Sequence, residues 1–205
     1  MPGRTLQTDA FVLLKRPPAD SFQTFTVFSP EHGALLVLQR VPKKNAASWL
    51  PLDLFDEVAL LLESSNQGQT WFVKEARFQT RHPGIGRSYE ALRFASLFAG
   101  LIARNSVDEE SRGAVARLLR TAFAAFETAP RPDIVFFKSL YLFARDEGYP
   151  VKQQWIAALN DADQTRVATL LNQPLAEQTA AAPEVARLQR RLEDYLRGHT
   201  EVLLD

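Results

Sequence analysis

Apolar and polar positions alternate with a period near two over the first 80 residues, and with helical spacing beyond them. The pattern predicts a strand over Thr8–Lys15, apolar on both faces through Ala10-Phe11-Val12-Leu13-Leu14, as in a strand closed into a barrel. Arg16-Pro17-Pro18-Ala19-Asp20 breaks it, because two prolines remove two ladder donors. A second strand, Phe22–Ser29, places Phe22, Thr24, Thr26 and Phe28 on one face and Phe25 and Val27 on the other. Gly33 stands where a tight turn requires positive φ, and Ala34–Gln39 continues as the third strand. Leu54–Leu62 fits helix or buried strand equally by periodicity. The turn Asn66-Gln67-Gly68-Gln69 and the following Trp71-Phe72-Val73 favour a hairpin, with Thr70–Thr80 as the fifth strand. Five short strands with one long basic connection, Arg40-Val41-Pro42-Lys43-Lys44, fit an OB-like barrel; an SH3-type barrel satisfies the same pattern.

Arg81-His82-Pro83-Gly84-Ile85-Gly86 stops the sheet, and the pattern turns helical. Ser88–Arg104 is apolar on more than one side and predicts a central helix. Ser106 and Glu109 have capping-box spacing for the next one, which carries Val115, Leu118, Leu119, Ala122, Phe123 and Phe126. Pro130-Arg131-Pro132-Asp133 opens a third helix that ends at Gly148-Tyr149-Pro150. Two short helices follow, Val151–Leu159 and Ala162–Leu171, with Asp161 and Asp163 at the positive end of the second. Ala180-Ala181-Ala182 reads as a link. Pro183 starts the last helix, with Val185, Leu188, Leu192, Tyr195, Leu196, His199 and Val202 as its apolar stripe. The expected class is α+β, an OB-fold domain over 1–80 and an all-α domain over 81–205.

Composition narrows the chemistry. Cysteine is absent, which excludes disulfides and thiolate nucleophiles, and three dispersed histidines make no zinc set, so no metal or other cofactor is expected. No run of about 20 apolar residues spans a bilayer, and no apolar segment of signal type follows Met-Pro-Gly-Arg; a cytoplasmic protein is the expectation. The formal charge is zero, so attraction to nucleic acid must come from arrangement rather than sum. Residues 1–87 hold ten cations against eight carboxylates, and residues 88–205 hold fourteen against sixteen. His32 has no Ser, Asp or second His at catalytic spacing and reads as a turn residue. Glu109-Glu110 and Asp161/Asp163 read as helix-start carboxylates, and Gly84-Ile85-Gly86 lacks the third glycine of a dinucleotide loop. No enzyme is expected.

The order of strand, Phe28-Ser29-Pro30-Glu31-His32-Gly33 turn, strand, basic loop and helical remainder resembles the RecO family of bacterial recombination mediators. Leu50-Pro51-Leu52-Asp53-Leu54-Phe55, Arg87-Ser88-Tyr89-Glu90-Ala91-Leu92, Phe137–Pro150 and Leu192-Glu193-Asp194-Tyr195-Leu196-Arg197-Gly198-His199 are similar to further family segments, and Ala168-Thr169-Leu170-Leu171-Asn172 more loosely. The chain departs from the family where many members carry a four-cysteine zinc site: Val151–Leu159 has none, and the metal is not carried over. The resemblance implies a non-enzymatic DNA repair and recombination protein that binds single-stranded DNA, promotes annealing and assists recombinase loading. Its implied partners are a RecR-like ring protein and the C-terminal tail of the single-strand-binding protein. The alternative is an interaction module that keeps the fold with weak or no DNA binding.

Candidate DNA contacts follow from the barrel. Arg40, Lys43 and Lys44 lie in the long connection, with Trp49 and Arg40 as stacking surfaces. Arg16, Lys74 and Arg77, and after them Arg81 and Arg87, could widen a cationic groove. On the last helix Arg187, Arg190, Arg191 and Arg197 form a basic side that could receive an acidic tail. The bland account of each set is a solvated face.

Overall fold

The computed structural model describes residues 4–19, 21–42, 50–64 and 67–204; Lys43, Lys44 and Trp49 lie outside them. The protein is α+β. Strands β1 (Arg4–Lys15), β2 (Phe22–Ser29), β3 (Gly33–Arg40), β4 (Glu57–Ser64) and β5 (Trp71–Thr80) close a barrel in the order β1-β2-β3-β5-β4. Helices α1 (Tyr89–Arg104), α2 (Arg112–Thr128), α3 (Pro132–Asp146), α4 (Asp161–Asn172) and α5 (Ala182–His199) follow, with a π-helix at Val151–Ile156. The chain forms two compact units, Met1–His82 with Ile102–Ala116, and Pro83–Leu101 with Arg117–Asp205. No helix among the described residues is long and apolar enough to cross a membrane.

The barrel is antiparallel except at one seam. β1 pairs with β4 over eight residues, Arg4↔Ser64 to Phe11↔Glu57, and β2 pairs with β3 over eight, Phe22↔Arg40 to Ser29↔Gly33. β3 and β5 meet in parallel at Val37↔Trp71 and Leu38↔Phe72. The interior is filled by alternate residues of each strand: Ala10 and Val12, Phe25 and Val27, Val37, then Val58, Leu60 and Leu62, and Trp71. The ambiguous Leu54–Leu62 stretch is therefore strand from Glu57, its alternate residues turned into the core. Leu52 joins the same cluster. The side chain of Gln39 holds that segment, its Nε2 donating to the Leu50 carbonyl at 3.2 Å and its Oε1 accepting from the Leu52 N–H at 3.0 Å.

The Ser-Pro-Glu-His-Gly turn is built around one hydroxyl. Ser29 Oγ accepts the N–H groups of Glu31 and His32, both at 3.1 Å, and lies 2.7 Å from Thr8 Oγ1. Gly33 takes φ +71°, which leaves that conformation to glycine, and Arg112 Nη1 donates to the Glu31 carbonyl at 3.0 Å. His32 is exposed and serves the turn.

Three helical expectations change. α2 begins at Arg112 after a turn over Asp108–Ser111, so Ser106 and Glu109 do not cap it. α1 buries the apolar residues that marked it, Phe94, Ala95, Phe98, Leu101 and Ile102, and α3 is buried almost all round, through Ile134 to Phe137, Leu140, Tyr141, Phe143 and Ala144. It ends in a Schellman motif: Gly148 at φ +85° donates to the Arg145 carbonyl, and Tyr149 N–H to that of Ala144. Val151–Ile156 winds as a π-helix, turning Trp155 inward against Phe137 and Tyr141. On α5, His199 is exposed, and Val202 is buried but lies beyond the helix end.

Candidate functional site

The two outer faces of the barrel differ in chemistry. On β1, β4 and β5 the outward positions are Thr5, Gln7 and Asp9, Leu61 and Glu63, and Glu75 and Arg77, a solvated mixture. On β2 and β3 they are Phe22, Thr24 and Thr26 beside Arg40, Leu38 and Leu36, with Phe72 of β5 next to Leu38. Alternation explains this directly, since Gln23, Phe25 and Val27 point the other way and are buried. The rings of Phe22 and Phe72 meet edge to face, centroids 5.5 Å apart, without belonging to the barrel core. Both rings remain half-buried.

The cations fall into two groups. Arg40 is the cross-strand partner of Phe22, and Arg16 follows β1 with its N–H bonded to the Thr24 carbonyl at 3.0 Å. Both are exposed, and neither has an ion-pair partner among the described residues. At about 4.8 Å per strand, Thr24, Leu38 and Phe72 form one row across β2, β3 and β5, extended by Arg16 just past the end of β1, with Phe22 and Arg40 in the next. The remaining candidates are elsewhere or engaged. Lys74 is held by Glu63 at 2.6 Å, and Arg77 is exposed opposite Ala59 on the solvated face. Arg81 forks onto Asp56 at 3.0 and 3.1 Å while lying over the Phe78 ring. Asp56 is nearly fully buried; that desolvation raises its pKa, and the bonds to Arg81 oppose the rise. Arg87 ends a short turn after the sheet.

In the helical unit the proposed basic side of α5 is rearranged by one carboxylate. Arg187 donates to both oxygens of Asp163, at 2.6 and 2.9 Å, and Arg191 donates at 2.7 Å. Arg166 completes the set and also pairs with Glu184. The bonds from Arg187 hold the Asp163 carboxyl far below the usual carboxylate range. Arg197 pairs with Glu193 and Asp194, so of the four arginines Arg190 alone is exposed without an ion-pair partner among the described residues.

A different surface of that unit gathers three cations around a groove. A groove of about 450 Å³ has Leu142, Ile156 and Leu171 in its apolar lining and Lys138, Arg145 and Lys152 as its charged groups, with no carboxylate lining it. Burial lowers the pKa of Lys138, whose Nζ donates to the Gln173 carbonyl at 2.9 Å. Arg145 is shared with Asp146, and Lys152 is exposed. The π-helix supplies both Lys152 and Ile156, so its wide turn shapes one wall.

No family model matches this chain, and no curated protein matches it.

Sequence reasoning missed Phe22, Phe72 and the Lys138–Lys152 groove as candidates. The alternation of β2 had already put Phe22 on an outer face, and that signal was available. Nothing in the linear pattern brings Phe72, 50 residues later in the chain, against it; the parallel β3–β5 seam does. Among the described residues no cluster of His, Cys, Asp or Glu is arranged to hold a metal ion.

Proposed function

We propose that the chain binds single-stranded DNA on the outer β2–β3 face of its barrel. There it promotes annealing and helps load a recombinase, as the resemblance to the RecO family implies. One observation carries the reading: Arg16 and Arg40, exposed and without an ion-pair partner among the described residues, fall in the same strand rows as the half-buried Phe22–Phe72 pair of an OB-like barrel. OB folds grip single strands with this combination of cationic edge and stacking surface. The connection that leaves from Arg40 brings Lys43 and Lys44 into the same polypeptide stretch. Anisotropy with a labelled single strand at two salt concentrations tests it. Binding should weaken with salt, and the double change Lys43→Glu, Lys44→Glu should weaken it further.

The second element of the proposal is the partner site. The groove lined by Lys138, Arg145 and Lys152 suits an acidic peptide with an apolar anchor better than α5 does, because Arg187 and Arg191 already serve Asp163 and Arg197 pairs with Glu193 and Asp194. The single-strand-binding protein's acidic tail is the proposed occupant, and a RecR-like ring the further partner. Lys138→Glu with Lys152→Glu should weaken binding of an acidic peptide about tenfold, each rim charge contributing ~1 kcal/mol or less. Arg190→Glu should leave it unchanged.

The interaction-module reading is favoured by the zero net charge and by Leu36 and Leu38 beside the two phenylalanines. Absence of strand binding at low salt, with or without the ring partner, selects it.

A further inference from the structure

We propose that Lys138 is an acylation site: the groove formed by α3, the π-helix and α4 holds an acyl phosphate, and Lys138 Nζ takes its acyl group. The transfer itself is independent of the readings above. Its consequence for an acidic peptide rests on the partner site proposed for the same groove.

Lys138, Leu142 and Arg145 recur at i, i+4 and i+7, so one face of α3 carries both cations along the groove. Their backbone positions lie about 10 Å apart along the helix axis, and both side chains are long enough to meet a small ligand between them. Lys152 enters from the π-helix, exposed and without an ion-pair partner among the described residues. Asp146 engages Nε and Nη2 of Arg145, which leaves Nη1 for a ligand oxygen. A guanidinium and an ammonium on an apolar wall suit a phosphoryl group with a short acyl chain attached. Lys138 differs from the barrel lysines in its partner. Lys15 lies 3.0 Å from Asp53 and Lys74 2.6 Å from Glu63. Lys138 Nζ donates instead to a neutral carbonyl, that of Gln173, and no carboxylate among the described residues lines the groove. The titratable groups that share it are Tyr141, Arg145 and Lys152. Burial lowers the Lys138 pKa, which enlarges the fraction present as neutral amine, the form with a lone pair to attack. That nitrogen adds to the acyl carbonyl carbon and a C–N bond forms. The C–O bond to phosphorus's oxygen breaks, and inorganic phosphate leaves with the bonding pair and takes the proton lost from nitrogen. Nothing is oxidised or reduced. The product amide is uncharged, so the groove keeps two of its three cations.

The test treats the whole chain with acetyl phosphate and follows each lysine by peptide mass spectrometry. Lys138 should be acetylated at least about fivefold faster than Lys15 or Lys74, since the neutral amine is the nucleophile. Arg145→Ala with Lys152→Ala should slow Lys138 severalfold and leave Lys15 unchanged. A phosphate-free acetyl thioester should acetylate Lys138 at a rate that the double variant leaves alone. Lys138 modified no faster than Lys15 and Lys74 overturns the site. A Lys138 rate that the double variant does not change, or slows equally for the thioester, overturns the role given to the phosphoryl group. For the consequence, the probe is a labelled aspartate-rich peptide with one leucine. Lys138→Gln, which mimics the uncharged amide, should weaken its binding about threefold, the effect of one rim charge, and Lys138→Arg should not. Equal binding to wild type and Lys138→Gln overturns that consequence. A peptide that binds neither protein overturns the partner reading and leaves the acylation standing.

Discussion

Replacing Trp155 by alanine should destabilise the helical unit by about 3–5 kcal/mol, the range for truncating a large buried aromatic. Trp155 is 4% exposed, and its ring lies 6.3 Å from that of Phe137 and 6.4 Å from that of Tyr141. It is, with Val151, one of two inward residues of the π-helix and the only aromatic of the two, so the smaller Val151 cannot fill the space it leaves. Trp155→Phe should cost far less. The indole Nε1 makes no hydrogen bond among the described residues, so phenylalanine removes a buried donor that has no partner while keeping a ring. Urea unfolding of the three proteins measures the difference, and a loss below about 1 kcal/mol for the alanine variant would show that the π-turn stands without its anchor. The same variant should also weaken acidic-peptide binding, because Lys152 and Ile156 reach the groove from that turn.

Asp163→Ala should lower the thermal midpoint by several degrees, more than any single arginine change on α5. The carboxylate is the shared acceptor for Arg187, Arg191 and Arg166, and it docks α4 to α5. Losing Arg187 alone leaves Arg191 in place, whereas losing Asp163 strands all three cations together. Those guanidinium groups are 41%, 40% and 48% exposed, so they regain water and limit the damage. The pH dependence has a definite sign. A carboxyl whose folded pKa is depressed gives its full stabilisation above the ordinary aspartate value, and loses it as pH falls through the depressed one. The wild-type advantage over Asp163→Asn should therefore hold from neutral to mildly acidic pH and vanish in strong acid. Asp56 works oppositely: its raised pKa favours the folded state at low pH, and that contribution declines as pH rises through the raised value. Thermal melts of both asparagine variants across pH separate the two groups.

What could be read from the sequence was local. The period-two pattern of Phe22 to Phe28 and the helical spacing of Val115 to Phe126 each fix one element, because neighbours along the chain decide which side is buried. The α+β order and the five strands followed from such patterns. Charge was harder to read. Arg187 and Arg191 look like a free basic stripe until Asp163, 24 and 28 residues earlier, is folded against them. Lys74 looks available until a register shift on β5 brings it to Glu63. A cation's availability depends on tertiary neighbours, and the linear pattern carries no information about those. The capping-box spacing of Ser106 and Glu109 failed for a related reason, since the turn over Asp108–Ser111 satisfies those backbone groups and delays the helix.

The parallel seam between β3 and β5 gives the barrel a preferred line of weakness. Two residue pairs close it, whereas eight-residue ladders hold β1 to β4 and β2 to β3. Thermal breathing should part the staves there first, and Leu38 and Phe72 sit on opposite lips of that gap. The surface that carries the two phenylalanines is thus also where the cylinder yields most readily, able to widen around a guest without unzipping the longer ladders.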